Sequence, residues 1–182
     1  KSIIGPEQRW GFQRNKTPEI KELADRLFGT VSSDRAAVIN AYLDATKKKG
    51  DSQKGHQVFQ TICITCHRIR GEGVEVGPDI TDVRIKPADA LLTDILDPNR
   101  ICEPRFMAYQ VDTKDGRIVA GLVAAESSES VTLKLAGGVT EAVPRNNIKA
   151  MKSLDQSLMP VGVEATITKE QMADLMAFLR GE

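Results

Sequence analysis

The sequence predicts a mainly α fold with a small antiparallel β-module inserted in it and additional helices at the N-terminus. Three observations carry that expectation. Apolar residues recur at helical spacing from Ile20 to Leu96, the period changes to two from about Arg105, and helical spacing returns after Thr168. The expected organisation is an N-terminal arm and helical hairpin over residues 1–50, followed by one domain over 51–182 with the β-insert at about 105–152.

The first ten residues, including Trp10, read as an irregular arm. "TPEIKELADRLFGT" then places Pro18 at a first helical position, where its missing N–H costs nothing, with Ile20, Leu23 and Leu27 on one face. "SSDRAAVINAYLDATKKKG" repeats the pattern with Val38/Tyr42 and Ile39/Leu43, and Gly50 stops it. Asp51 or Ser52 caps a third helix, "QKGHQVFQTI". A fourth, "PADALLTDIL", gathers Leu91, Leu92, Ile95 and Leu96 and ends at Pro98. From Met107, Tyr109 and Val111 alternate with Ala108, Gln110 and Asp112, "KDGR" turns the chain, and "IVAGLVA" runs back. "VTLKL" and "VTEAV" flank an "AGG" turn, and "NNIKAMK" offers one more short strand, giving four or five in all. The closing helix, "TKEQMADLMAFLR", carries a capping box of Thr168 and Gln171 and an apolar face of Met172, Leu175, Met176 and Leu179.

Composition excludes several classes. Among 182 residues, 25 Lys plus Arg balance 25 Asp plus Glu, so no net field draws the chain to nucleic acid or to a membrane surface. No apolar run is long enough to span a bilayer. Aromatic content of 4% is thin for a core of side chains alone, and a bound apolar group would supply volume. Three cysteines make no disulfide framework. Beginning at Lys1 with no secretory apolar segment, the chain is expected to be either a processed exported protein or a segment of a longer one.

Two of the three cysteines and one of the two histidines fall within five positions, Cys63, Cys66 and His67. The spacing C-x-x-C-H is that of covalent haem c attachment. Two thiols one helical turn apart can each add across a porphyrin vinyl group, and the adjacent His67 is then held under the iron as an axial ligand. A zinc site would need four ligands, and only His56 and Cys102 remain as Cys or His candidates, in no paired spacing. A redox thiol pair would open a helix after a strand, whereas here a helix precedes the motif. One covalent haem c through Cys63 and Cys66 is therefore the expected cofactor. Cys102 is left over, as a buried thiol or as an intermolecular link.

The surrounding residues resemble class I c-type cytochromes. "GHQVF" sets Gly55 and Phe59 on the helix before the motif, a pair that in that family lets the helix cross closely against the last one, here through Leu175 and Phe178. "GEGVEVGPDIT" is similar to the family segment whose proline carbonyl, here Pro78, accepts a hydrogen bond from the ligating histidine. The stretch from Gly55 to Leu179, with "GPD", "ILDPNR", "YQVDTKDGR", "SLMP" and "ADLMAFL", resembles the planctomycete/verrucomicrobial type of haem-binding domain. The resemblance implies a cytochrome c-like fold, export to a compartment such as the periplasm, and a redox protein partner, among them a dehydrogenase, fused or separate.

Candidates for the second axial ligand are Met107, Met151, Met159, Met172, Met176 and His56. Met172 and Met176 belong to a core face, Met107 and Met151 to strands, and His56 to the helix leading into the motif. Met159, in the "SLMP" loop, resembles the ligand loop of class I cytochromes, and the pair His67 and Met159 is the expected metal-binding set. Such a site passes electrons and is not an enzyme; the alternative is a haem enzyme or a gas or redox sensor with an open or labile sixth position. Arg68, Arg70, Arg100 and Arg145 are candidates for the propionates. The β-module is expected to cover a haem edge, with partner docking or ligand binding as its other reading. Oligomeric state is not legible.

Overall fold

The computed structural model describes residues 17–28 and 33–182. The arm expected over the first residues, with Trp10, lies outside them. Helix α1 (Pro18–Phe28) buries Ala24, whereas Ile20 and Leu23, expected on its apolar face, are exposed. Helix α2 (Ser33–Tyr42) continues as a 3-10 turn, Leu43–Thr46, and brings Val38, Ile39, Tyr42 and Leu43 half-buried against the main core. Asp51 caps α3 (Ser52–Val58) by accepting the N–H groups of Gln53 and Lys54 at 3.0 and 3.2 Å. The helix α4 (Ala88–Leu96) buries Leu91, Leu92 and Leu96, and α5 (Lys169–Arg180) begins with the Thr168/Gln171 capping box and ends at Gly181, whose φ is +73°.

Helices α3 and α5 cross at a distance only glycine permits. A Cβ on Gly55 would lie 1.9 Å from the carbonyl oxygen of Asp174, and one on Gly50 2.2 Å from that of Ala173. The approach brings the Phe59 and Phe178 rings to 5.5 Å between centroids and seals Phe59, Leu92, Leu96, Met172 and Leu175 from solvent. Each such side chain contributes about 1.5–3 kcal/mol of burial free energy. Arg35 locks α2 to this core: it pairs with Glu164 at 2.7 Å and donates to the carbonyl of Leu96.

A two-stranded hairpin, β1 (Arg68–Ile69) with β2 (Glu72–Gly73), follows the motif. The larger sheet comprises β3 (Met107–Thr113), β4 (Ile118–Glu126), β5 (Ser130–Lys134), β6 (Thr140–Pro144) and β7 (Ile148–Ser157). All neighbours are antiparallel, in the order β6-β5-β4-β3-β7. Val111, Val119, Val131, Leu133 and Val143 form a second, separate buried cluster.

The described fold is not mainly helical, which corrects the first expectation: five α-helices share it with a five-stranded sheet. The strand content is larger than expected because β7 runs ten residues, through Ser157, where only a short strand was expected. It lies at the sheet edge and is largely exposed or half-buried along its length, so it needs no apolar alternation to pair. No helix among the described residues is long and apolar enough to cross a membrane.

Candidate functional site

The motif sits where α3 changes its winding. Beyond Val58 the helix widens into a π-turn, Phe59–Cys63, closed by the Ile64 N–H donating to the Phe59 carbonyl five residues back at 3.0 Å. Such turns occur mostly as local bulges in α-helices, often at functional sites. The N–H groups of Cys66 and His67 then both donate to the Cys63 carbonyl, at 3.1 and 2.9 Å, curling the chain so that the two thiols and the imidazole share one short loop. Neither thiol is in a disulfide. Burial, with Cys66 beside it, pushes the Cys63 thiol up to about 11, so it stays protonated near neutral pH.

The segment after β2 folds back over His67. The N–H groups of Val76 and Gly77 donate to the Cys66 carbonyl at 3.1 and 2.7 Å. This lays the Gly77 backbone on the imidazole, where a Cβ would come 2.8 Å from Cε1. His67 Nδ1 lies 2.9 Å from the carbonyl oxygen of Pro78, an acceptor only, so Nδ1 carries the proton of the neutral ring and donates. The tautomer thus fixed leaves the lone pair on Nε2.

Contacts that sequence reasoning did not reach brace this loop. His56 Nε2 lies 2.7 Å from Glu72 Oε2, and Gln60 donates to the other carboxylate oxygen at 2.9 Å, tying α3 to β2. These bonds, Gln60 first, hold the Glu72 carboxyl below its usual range. The His56 ring also packs 4.8 Å from that of Phe178. Arg70 donates to the carbonyls of Phe178 and Leu179 at 3.0 and 3.3 Å, placing its charge at the negative end of α5. A period-two or helical pattern gives no sign of such pairings, since they join residues from separate elements.

Met159 lies in the loop following β7. It is half-buried, and its N–H donates to Ser157 Oγ at 3.1 Å. Met172 and Met176 are core residues of α5, and Met107 and Met151 line a shallow cavity at one end of the sheet with Tyr109, Val123 and Arg105. Cys102 is half-buried. Of the four arginines considered for an anionic group, Arg70 is engaged at α5, Arg145 with Glu126 and the Ser127 carbonyl, Arg100 with Asp94 at 3.6 Å and Arg68 with Glu75 at 3.9 Å. No group of three or more Cys, His, Asp or Glu side chains among the described residues is disposed to hold a metal ion unaided.

The donor set is that of a c-type haem site: two unpaired thiols a helical turn apart and an imidazole offering Nε2. This donor set supports a c-type cytochrome domain as the class. Residues 52–114 match the family described as Cytochrome c. The matched segment runs from the start of α3 through β3 and leaves Met159 and α5 outside it. No curated protein matches the chain.

Proposed function

We propose that residues 51–182 form an electron-transfer domain with one haem attached through Cys63 and Cys66 and ligated by His67 and Met159, the sheet being an insertion in it. The observation that carries this reading is the imidazole fixed by Pro78 and Gly77 directly after two unpaired thiols. The haem, when bound, supplies an iron that takes up and releases one electron. The chain's residues do the rest. The thiols anchor the group, and the Pro78 carbonyl raises the basicity of His67 by taking the Nδ1 proton in a hydrogen bond. A thioether from Met159 favours the reduced metal and so raises the potential. Held by both His67 and Met159, the group would offer a substrate no open coordination position.

The resemblance to the planctomycete/verrucomicrobial haem-binding type supports export to the periplasm or a similar compartment, and a dehydrogenase as the donor. A haem enzyme would need a distal acid or base, and His56 is already engaged by Glu72 and Phe178. The test is the ferric absorption spectrum of protein matured with haem, searched for the weak red sulfur-to-iron charge-transfer band. Its presence, and its loss in Met159→Ala, establishes His/Met ligation. A high-spin spectrum without it would overturn that ligation in favour of an open site, and the absence of any Soret band would overturn haem binding.

A further inference from the structure

We infer that the five-stranded sheet is a brace between the two segments that carry the proposed axial ligands, gripping the His67 loop with one edge and the Met159 loop with the other. The inference rests on the His/Met reading above.

At the first edge the β5–β6 turn lies on the motif. The Gly137 N–H donates to the carbonyl of Thr65, one of the two residues between Cys63 and Cys66 in the attachment loop, at 2.8 Å. Lys134 Nζ donates to the Glu75 carbonyl at 3.0 Å, just before the glycine that lies against the imidazole. Gly138 approaches Val74 so closely that a Cβ there would sit 2.6 Å from Cγ1. At the other edge β7 runs directly into the Met159 loop. Ser157, paired with Met107 of β3, donates its N–H to Asn99 Oδ1 at 2.8 Å and accepts the Met159 N–H on Oγ at 3.1 Å.

The order β6-β5-β4-β3-β7 puts these two grips at opposite edges. Four strand spacings of about 4.8 Å set them at most about 19 Å apart across the sheet. Each spacing is held by a hydrogen-bonded ladder, and Val111, Val131, Leu133 and Val143 are fully buried beneath. The separation of the two ligand segments is thereby set by the sheet, and Met159 would stay in place toward a bound haem for as long as the brace holds. Asn99, Lys134, Gly137 and Gly138 are positioning residues in this device.

The experiment is an imidazole titration of the ferric holoprotein, following loss of the sulfur-to-iron band, in parallel with amide hydrogen exchange. Gly138→Ala forces a side chain against Val74, and Asn99→Ala removes the acceptor at the distal grip. Each is expected to raise imidazole affinity about three- to tenfold, the range one net hydrogen bond delivers. Asn99→Asp keeps an acceptor oxygen and restores the wild-type value. Gly116→Ala imposes the same backbone strain in the β3–β4 turn, where φ is +87° and a Cβ meets nothing within 4 Å, and leaves affinity unchanged. Equal affinities in all variants, or an equal rise in Gly116→Ala, would overturn the brace. A wild-type protein lacking the band would instead defeat the His/Met reading. In that case exchange decides: in Gly138→Ala the brace requires faster exchange across the sheet at residues 157–161, and acceleration confined to residues 134–140 would defeat it.

Discussion

The helical part of the molecule and its sheet solve the same problem in opposite ways. The helical core collects Phe59, Leu92, Leu96, Met172 and Leu175 from elements scattered along the chain, and it closes only because two glycines let α3 meet α5. The sheet draws Val111, Val119, Val131, Leu133 and Val143 from one continuous stretch, joined by tight turns. Local contacts make the sheet's assembly a matter of pattern, whereas the helical core depends on long-range fit. The difference shows why the site lies where it does. The attachment loop grows out of the closely fitted half, and the self-contained half touches it through hydrogen bonds to the Thr65 and Glu75 carbonyls.

The sharpest way to break this comparison is Gly55→Ala. In an exposed helix that change stabilises by about 0.5–1 kcal/mol. Here the added carbon meets the Asp174 carbonyl at 1.9 Å, so the sign reverses and the loss is expected to be about 3 kcal/mol or more. Chemical denaturation would show it, and haem incorporation should fall with it. A neutral or stabilising outcome would mean that the helices do not cross this closely.

Leu133→Ala attacks the other core. Leu133 is fully buried, and the truncation is expected to cost about 2–5 kcal/mol. Amide exchange should accelerate in β4, β5 and β6 while α3 and α5 keep their protection. Equal acceleration everywhere would show the two cores to be one cooperative unit. Arg35→Met is expected to cost less, about 1–3 kcal/mol, because Glu164 and the Leu96 carbonyl lose their partner at a site where both charged side chains are mostly buried. A urea melt that moves by less than that range would place the pair among surface ion pairs, which contribute little.

Much of both halves is legible from residue order alone. Thr168 with Gln171, Asp51 before α3, Gly55 beside Phe59 and the alternation around Val111 each state a local preference that the fold keeps. The attachment motif is local too, whereas the bond from His67 to Pro78, carried by one short loop, is what the resemblance to class I cytochromes implies. What sequence could not yield is non-local or too short to have a period. Strands β1 and β2 have two residues each, below any alternation that could be recognised. The π-turn at Phe59 uses residues that an α-helix accepts equally well. His56 meets Glu72 and Asn99 meets Ser157 only after separate elements pack, and the half of β7 beyond Lys152 hides because Asp155 interrupts its pattern.

The smallest expected effect concerns the turn that starts the sheet. The Asp115 carboxyl is held down to about 2, chiefly by the Thr113 hydroxyl, with Asn147 and Arg117 each 3.3 Å from it. Its folded pKa is therefore below the unfolded value near 3.9, so its contribution is fully present above about pH 4 and is lost as pH falls toward 2. The carboxylate is fully exposed and screened by salt, which keeps the effect small. Asp115→Asn should leave stability at pH 7 nearly unchanged and flatten its fall between pH 4 and 2, in thermal melts at low ionic strength. Because Asn147 leads into β7, the missing contribution should appear in the sheet's transition and not in that of the helical core. Superimposable acid profiles for the two proteins would show that the turn holds by its backbone alone.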